Sequence, residues 1–294
     1  MAAGASFILP AALIVLALAW AYVRWGSLPE VERAFYGVKP VVVVIVAHAL
    51  WGLGRTALKD GLTLSAALTS LGLRFVGVHE LALLFAGGGA VMLLRRAVAA
   101  GAVLALLPVA VGLPAAAPPV PSSLGTLFGV FLKIGSVLFG SGYVLLAFLR
   151  TDLVERLRWM DLAQLLDAVA VGQITPGPVF TTATFIGYLL GGPAGAAVAT
   201  AGIFLPAFVF VAITRPFVPR LRRSVWAAAF LDGVNAISWA LMAEVTWHLA
   251  RASIHDLPTV LIALATGLVA FRTNLNPVVL LGAGAVAGAV VQSL

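Results

Sequence analysis

The most unusual stretch of this chain is Gly172-Gln173-Ile174-Thr175-Pro176-Gly177-Pro178, followed by Thr181, Thr182 and Thr184. Proline removes a backbone donor and clashes with the carbonyl four residues back, and glycine adds freedom. Pro176, Gly177 and Pro178 therefore predict a helix break inside an apolar segment. Irregular backbone at membrane depth is tolerated where it is buried in protein or lines a cavity. Pro178 suits the first position of the helix that resumes, and that helix start would turn free amides and its dipole toward an anion. Gln173, Thr175, Gly177, Thr181 and Thr182 are the candidate anion-binding residues; a kinked packing helix is the plainer alternative.

A second stretch runs Phe131-Leu132-Lys133-Ile134-Gly135-Ser136 and on to Phe139-Gly140-Ser141-Gly142-Tyr143. A cation within an apolar run faces a cavity or a partner, so Lys133 joins the candidate anion site, unless it only snorkels to the membrane surface. Gly140 and Gly142 mark another break or a close helix crossing. Acids within apolar segments are few. Asp167, ahead of the Pro-Gly-Pro break, and Glu244, ahead of Trp247 and His248, are candidate proton relays, with structural pairing as the alternative. Lys39, His48, His79 and Glu80 are comparable in the first half, and Glu80 also suits a helix start.

Other chemistries lack their residues. The chain has no cysteine, which removes disulfides, thiolate metal sites and cysteine nucleophiles. The four histidines are isolated, with no HExxH spacing, and there is no phosphate-binding Gly-Lys motif. No enzyme, metal or cofactor reading follows.

The elements that position these residues are membrane helices. Of 294 residues, 62% are hydrophobic and only 10% charged, against roughly 25% in soluble domains, and mean hydropathy is +1.10. The formal charge of +7 comes from residues in short links between apolar runs, where Lys and Arg set orientation, and does not point to nucleic acid. Apolar runs at 1–23, 38–54, 61–75, 78–94, 97–113, 124–148, 163–190, 193–213, 225–250, 257–271 and 274–292 predict an all-α polytopic protein of about 11 transmembrane helices (10–12), partnered by the lipid bilayer. A β-barrel is disfavoured because period-2 alternation is missing.

The Pro-rich segment 114–123 divides the chain into a first half, 1–113, and a second, 124–294. At a fixed offset of about 196 residues, Leu9-Pro10 matches Leu205-Pro206, Gly37-Val38 matches Gly233-Val234, and Trp51, Phe75 and Gly88 match Trp247, Phe271 and Gly284. An odd number of spans separates link 24–37 from link 215–223, so the two should face opposite sides. Arg215, Arg220, Arg222 and Arg223 make the second cytoplasmic, and Arg95-Arg96 and 150–158 should then lie inside as well. Two homologous halves of inverted topology are a common plan for secondary transporters. Segments 124–148 and 163–190 have no counterpart in the first half. About 73 residues would supply one, from upstream or from a partner chain, with a homodimer as another source.

The residues from Phe131 to Tyr143, Leu165-Leu166-Asp167, Gly172 to Pro178, Phe185-Ile186-Gly187-Tyr188, Gly195-Ala196 and Phe204-Leu205-Pro206 resemble the chromate ion transporter family, over nearly the whole chain. The resemblance implies two homologous halves, each with a Phe-Gly-Gly-type motif and a Pro-Gly-Pro motif. Here only the second half carries both, with Phe139-Gly140-Ser141-Gly142 in place of Phe-Gly-Gly. It further implies chromate efflux across the bacterial inner membrane, conferring chromate resistance. Sulfate, also a tetrahedral dianion, is the alternative cargo, and a non-autonomous subunit of a split transporter is the alternative role.

Overall fold

The computed structural model describes residues 2–99, 123–138, 142–273 and 275–293. The expected span 97–113, linker 114–123 and Gly140 lie, wholly or nearly so, outside them. Among the described residues the structure is all helical. The helices are α1 (Ala2–Trp25), α2 (Pro29–Ala57), α3 (Gly61–Phe75), α4 (Glu80–Ala99), α5 (Leu124–Val137), α6 (Leu145–Leu149), α7 (Leu162–Ile174), α8 (Thr182–Thr214), α9 (Val218–Arg223), α10 (Val225–Ser253), α11 (Leu257–Arg272) and α12 (Pro277–Val291). Four apolar runs, Gly4–Trp25, Pro29–Ala57, Val179–Thr214 and Val225–Ser253, are long enough to cross a membrane.

Helix α2 begins nine residues before the expected 38–54, which shrinks the expected link 24–37 to residues 26–28. Pro29 opens it and Glu30 and Glu32 occupy its first turn, where the helix dipole favours acids. The acids read as loop charge are helix-start residues.

The expected span 124–148 is not one helix. Lys133 Nζ donates to both carboxylate oxygens of Asp152, at 2.8 and 2.9 Å, across 19 residues. A straight run of that length would hold them about 28 Å apart, so the chain reverses between α5 and α6. Segment Arg150–Arg156 then continues α6 as a π-helix. The expected 150–158 cytoplasmic link is also corrected: Arg150, Thr151, Asp152 and Leu153 are buried inside the protein.

Helix α8 folds back too. Thr184 and Thr200 share a hydroxyl hydrogen bond of 2.7 Å, whereas 16 helical residues would span about 24 Å. The corner is Gly191–Gly192, with Gly192 at φ +61°, a conformation open to glycine. Backbones of the two arms touch at Gly187 and Gly195. The arm 193–214 is span-length; 182–190, at about 14 Å, is not.

The repeat reappears in the architecture. Helices α2 and α10 each have 29 residues and are displaced by 196 at both ends. Asp60 caps α3 through Thr63 as Asp256 caps α11 through Thr259, each a capping box at the same displacement. The Thr63 amide holds the Asp60 carboxyl below its usual range, and the Thr259 hydroxyl holds Asp256 down to about 2. Helix α2 packs against α11 and α12, whereas α10 packs against α3 and α4. Tyr36, early in α2, donates to Asp256, just beyond α10, at 2.6 Å. Lys59, just beyond α2, pairs with Asp232, early in α10, at 2.6 Å. The two matched helices therefore lie side by side and run antiparallel.

Their crossings use the repeated glycines. A Cβ on Gly37 would collide with the backbone of Gly284 and Gly288 in α12, and one on Gly233 with Val91 and the Gly88 backbone in α4. Small residues at such points let helix backbones approach closely where lipid supplies no hydrophobic drive. Gly37→Leu and Gly233→Leu should each destabilise the protein by about 1–3 kcal/mol through overpacking, seen as a lower Tm in detergent. Gly52 and Gly89, which a Cβ would leave without neighbours within 4 Å, should tolerate leucine within about 0.5 kcal/mol.

Candidate functional site

The Pro-Gly-Pro sequence breaks the chain where expected. Helix α7 ends at Ile174, Thr175 turns to an extended conformation, and a helical turn resumes at Val179–Thr181 before α8. The chain doubles back here as well: a Cβ on Gly172 would collide with Thr182 Oγ1. Gly177 sits against Ala11 in the middle of α1, which puts the break near half-depth. Thr175 Oγ1 donates to the Val171 carbonyl at 3.0 Å and Thr181 Oγ1 to the Pro178 carbonyl at 2.9 Å. Both carbonyls also accept a backbone amide, from Thr175 and Thr181 respectively, so each hydroxyl doubles a local turn bond.

The second glycine-rich stretch meets the first. Gly142 and Tyr143 begin the short turn before α6. A Cβ on Gly142 would stand 3.8 Å from Val179 Cβ, and Tyr143 donates to Gln173 Oε1 at 3.2 Å. Two donors at this junction have no partner: Gln173 Nε2 and the hydroxyl of Thr182, a fully buried residue. The first amides of the turn at Val179 have no intrahelical acceptor either. Of the expected anion-binding residues, Gln173, Thr175, Gly177, Thr181 and Thr182 lie at or beside the break, with Thr182 folded back against Gly172. Lys133 is instead neutralised by Asp152, which also receives Arg156 at 2.9 Å.

A buried charge network lies along the π-helix. Arg150 binds Glu244 at 2.6 Å and Glu155 at 2.7 Å. Arg74 binds Glu155 and Thr151, each at 2.8 Å, with Glu244 3.8 Å away. His248 Nε2 lies 3.1 Å from Glu244. Two arginines balance two glutamates. Glu244 is therefore an ion-pair partner in this network. The sequence marked it as one of few acids within an apolar run, but Arg74 and Arg150 carried no local signal.

Asp167 lies elsewhere, on a cavity of about 420 Å³ lined by Tyr22, Glu32, Tyr36, Lys39, Asp167 and His255 among others. Tyr22 donates to Asp167 Oδ2 at 2.8 Å, and Lys39 Nζ lies 3.4 Å from Oδ1. The cavity sits at the end of the bundle that carries the links 26–28 and 254–256. Helix α7 leads from it to the break, about 12 Å deeper along its axis from Asp167 to Thr175.

The sequence profile of the chromate transporter family matches residues 1–113 and 125–289. A chromate transport protein of Cupriavidus metallidurans is 36% identical over 95% of this chain and 72% of its own length. One of Pseudomonas aeruginosa is 32% identical over 97% of this chain and 73% of its own. An uncharacterized transporter of Bacillus subtilis, YwrA, is 23% identical over 48% of this chain and 80% of its own length. No solved structure matches.

The network predicts a non-additive pair of substitutions. Glu244→Met leaves Arg150 and Arg74 to share Glu155, one buried positive charge in excess, and should destabilise the protein by about 3–5 kcal/mol. Adding Arg150→Met leaves Arg74 with Glu155 and should restore much of that loss. Thermal unfolding of the single and double variants in detergent measures both.

Proposed function

This chain belongs to the chromate transporter family, and on that footing we propose that it carries chromate out of the cell by secondary transport and so confers chromate resistance. It is a multi-pass protein of the inner membrane. The reading that the anion binds at the Pro-Gly-Pro break rests on one observation above the others: Gln173 Nε2 and Thr182 Oγ1, on either side of the break, are buried donors without a partner. A dianion leaving water needs donors, or the desolvation cost is prohibitive. Side-chain hydroxyl and amide, with the amides that open the turn at Val179, supply them without a fixed full charge.

The family profile's two matches support 1–113 and 124–294 as homologous halves. The antiparallel course of α2 and α10 supports their inverted orientation, the plan on which alternating access is built. Arg215, Arg220, Arg222 and Arg223 then mark the α10-start end as cytoplasmic, and the cavity on Asp167 opens to the periplasm.

Chromate flux into everted membrane vesicles, with expression measured alongside, tests the site. Gly177→Leu, which would press on Ala11, should cut flux at least about tenfold, equivalent to about 1.4 kcal/mol of barrier. Thr182→Val should raise the KM for chromate, and Pro219→Ala should change neither. Normal flux from both Gly177→Leu and Thr182→Val would remove the break as the anion site, and sulfate competing as strongly as chromate would make cargo choice broader. The orientation has its own test, since the native chain has no cysteine. Ser27→Cys should react with an impermeant thiol reagent from outside, whereas Arg220→Cys should react only after permeabilisation. Outside labelling of both would overturn the inverted plan.

A further inference from the structure

Lys39 and Asp167 form a looser ion pair than Lys133–Asp152 or Arg150–Glu244. Lys133–Asp152 and Arg150–Glu244 close at 2.6–2.9 Å, the range of charge-assisted hydrogen bonds. Lys39 stays 3.4 Å from Asp167 Oδ1, and that oxygen, though buried, has no hydrogen-bond partner. The other oxygen is held by Tyr22 from α1. The Lys39 side chain is 26% exposed and stands on the wall of the cavity. An ammonium has three donors, so Lys39 has capacity that Asp167 does not use.

We infer that Lys39 is a second anion site, at which an oxyanion passing between the cavity and the chain breaks displaces Asp167 from the ammonium. This rests on the oxyanion-transport reading and names a station the break does not supply. The site is a weak one by construction. Asp167 is an internal competitor fixed by Tyr22 beside the ammonium, and its return expels the anion. The remaining charged or titratable groups on the cavity are Glu32 and Tyr36 from α2 and His255 from the α10–α11 link. Glu32 is exposed and solvated about 10 Å along α2 from Lys39, so it weakens the site little. Tyr36 is already bonded to Asp256, which leaves Lys39 as the cation at depth.

The inference separates Lys39 and Asp167 in sign. In a purely structural pair, loss of either partner harms the protein alike. In an anion site with an internal competitor, loss of the competitor tightens binding. Calorimetry on the purified full chain, titrated in separate arms with chromate and with sulfate, reads the difference. Asp167→Asn, which keeps an acceptor for Tyr22, should bind at least about threefold more tightly than wild type. Lys39→Gln should bind at least about tenfold more weakly, and Lys39→Arg should recover most of the affinity. Weaker binding by Asp167→Asn, or unchanged binding by Lys39→Gln, overturns the inference. Unchanged Lys39→Gln together with lost binding in Gly177→Leu overturns it while leaving the central site standing. The expected pattern with sulfate but no binding of chromate supports the Lys39 station and removes chromate as the cargo. No binding of either anion by wild type overturns it.

Discussion

In hydrocarbon a backbone amide, carbonyl or charge without a partner costs several kcal/mol, and the arrangement of this protein follows from where it can afford irregular chain. The break at 175–181 leaves helical groups unsatisfied. It is placed against the turn Gly142–Val144, with α1 behind it. Thr175 and Thr181 return both amide and hydroxyl to carbonyls at the break, so neither hydroxyl is left open. What stays open is the Thr182 hydroxyl and Gln173 Nε2, both buried inside the protein. Enclosure of that junction depends in turn on close helix crossings, and so on glycines such as Gly187 and Gly195, which leave no room for a side chain.

How much of this was legible in the sequence follows from the range of each interaction. The Pro-Gly-Pro break is set by residues within one turn of it, and so was readable. So were the bounds of α3, fixed by the Asp60 cap, and the repeat, fixed by register. Chain reversal was readable at Gly191–Gly192, between runs 163–190 and 193–213, but not within 124–148 or at the Pro-Gly-Pro break. A straight interrupted helix and a folded-back one have the same local sequence; what separates them is the Lys133–Asp152 pair in one case and the approach of Thr182 to Gly172 in the other. Lys133 looked free because its partner stands 19 residues on. Segment 150–156 looked cytoplasmic because a count of positive charge treats every arginine as solvated, and Arg150 is buried against Glu244. Hydroxyl counts misled in the same way, since two of the threonines near the break cap backbone.

The repeat explains the frame but not the chemistry. Matched positions do the same mechanical work: Gly37 and Gly233 admit crossings, Asp60 and Asp256 start helices, and Trp51 and Trp247 both face outward. Beyond the link and helix-end pairs Asp60/Asp256, Arg24/Arg220 and Arg55/Arg251, several charged positions within the bundle are not matched. At the displacement of 196, His48 stands for Glu244, Ala270 for Arg74, Asn235 for Lys39 and Asn276 for Glu80. A pseudo-symmetric frame therefore holds an asymmetric polar interior, built where the broken helices of the second half pack against it. Symmetry was retained where it sets helix geometry and abandoned where it would duplicate charge.

Charge balance gives the interior its character. Lys133 and Arg156 share Asp152, Glu244 and Glu155 answer Arg150 and Arg74, and each of these cations has a carboxylate within 3 Å. A dianion held by an unopposed arginine or lysine in this low-dielectric interior would be bound too strongly to leave, because each charge interaction there is worth several times its value in water. Neutral donors at the break hold it less tightly and, being buried, still replace part of its hydration. The loosely paired cation, Lys39, is nearer the bundle end and keeps its own carboxylate beside it. Affinity along α7 is thus divided between donors without charge and a charge that is never without competition, which is the condition for an ion to be both taken up and released.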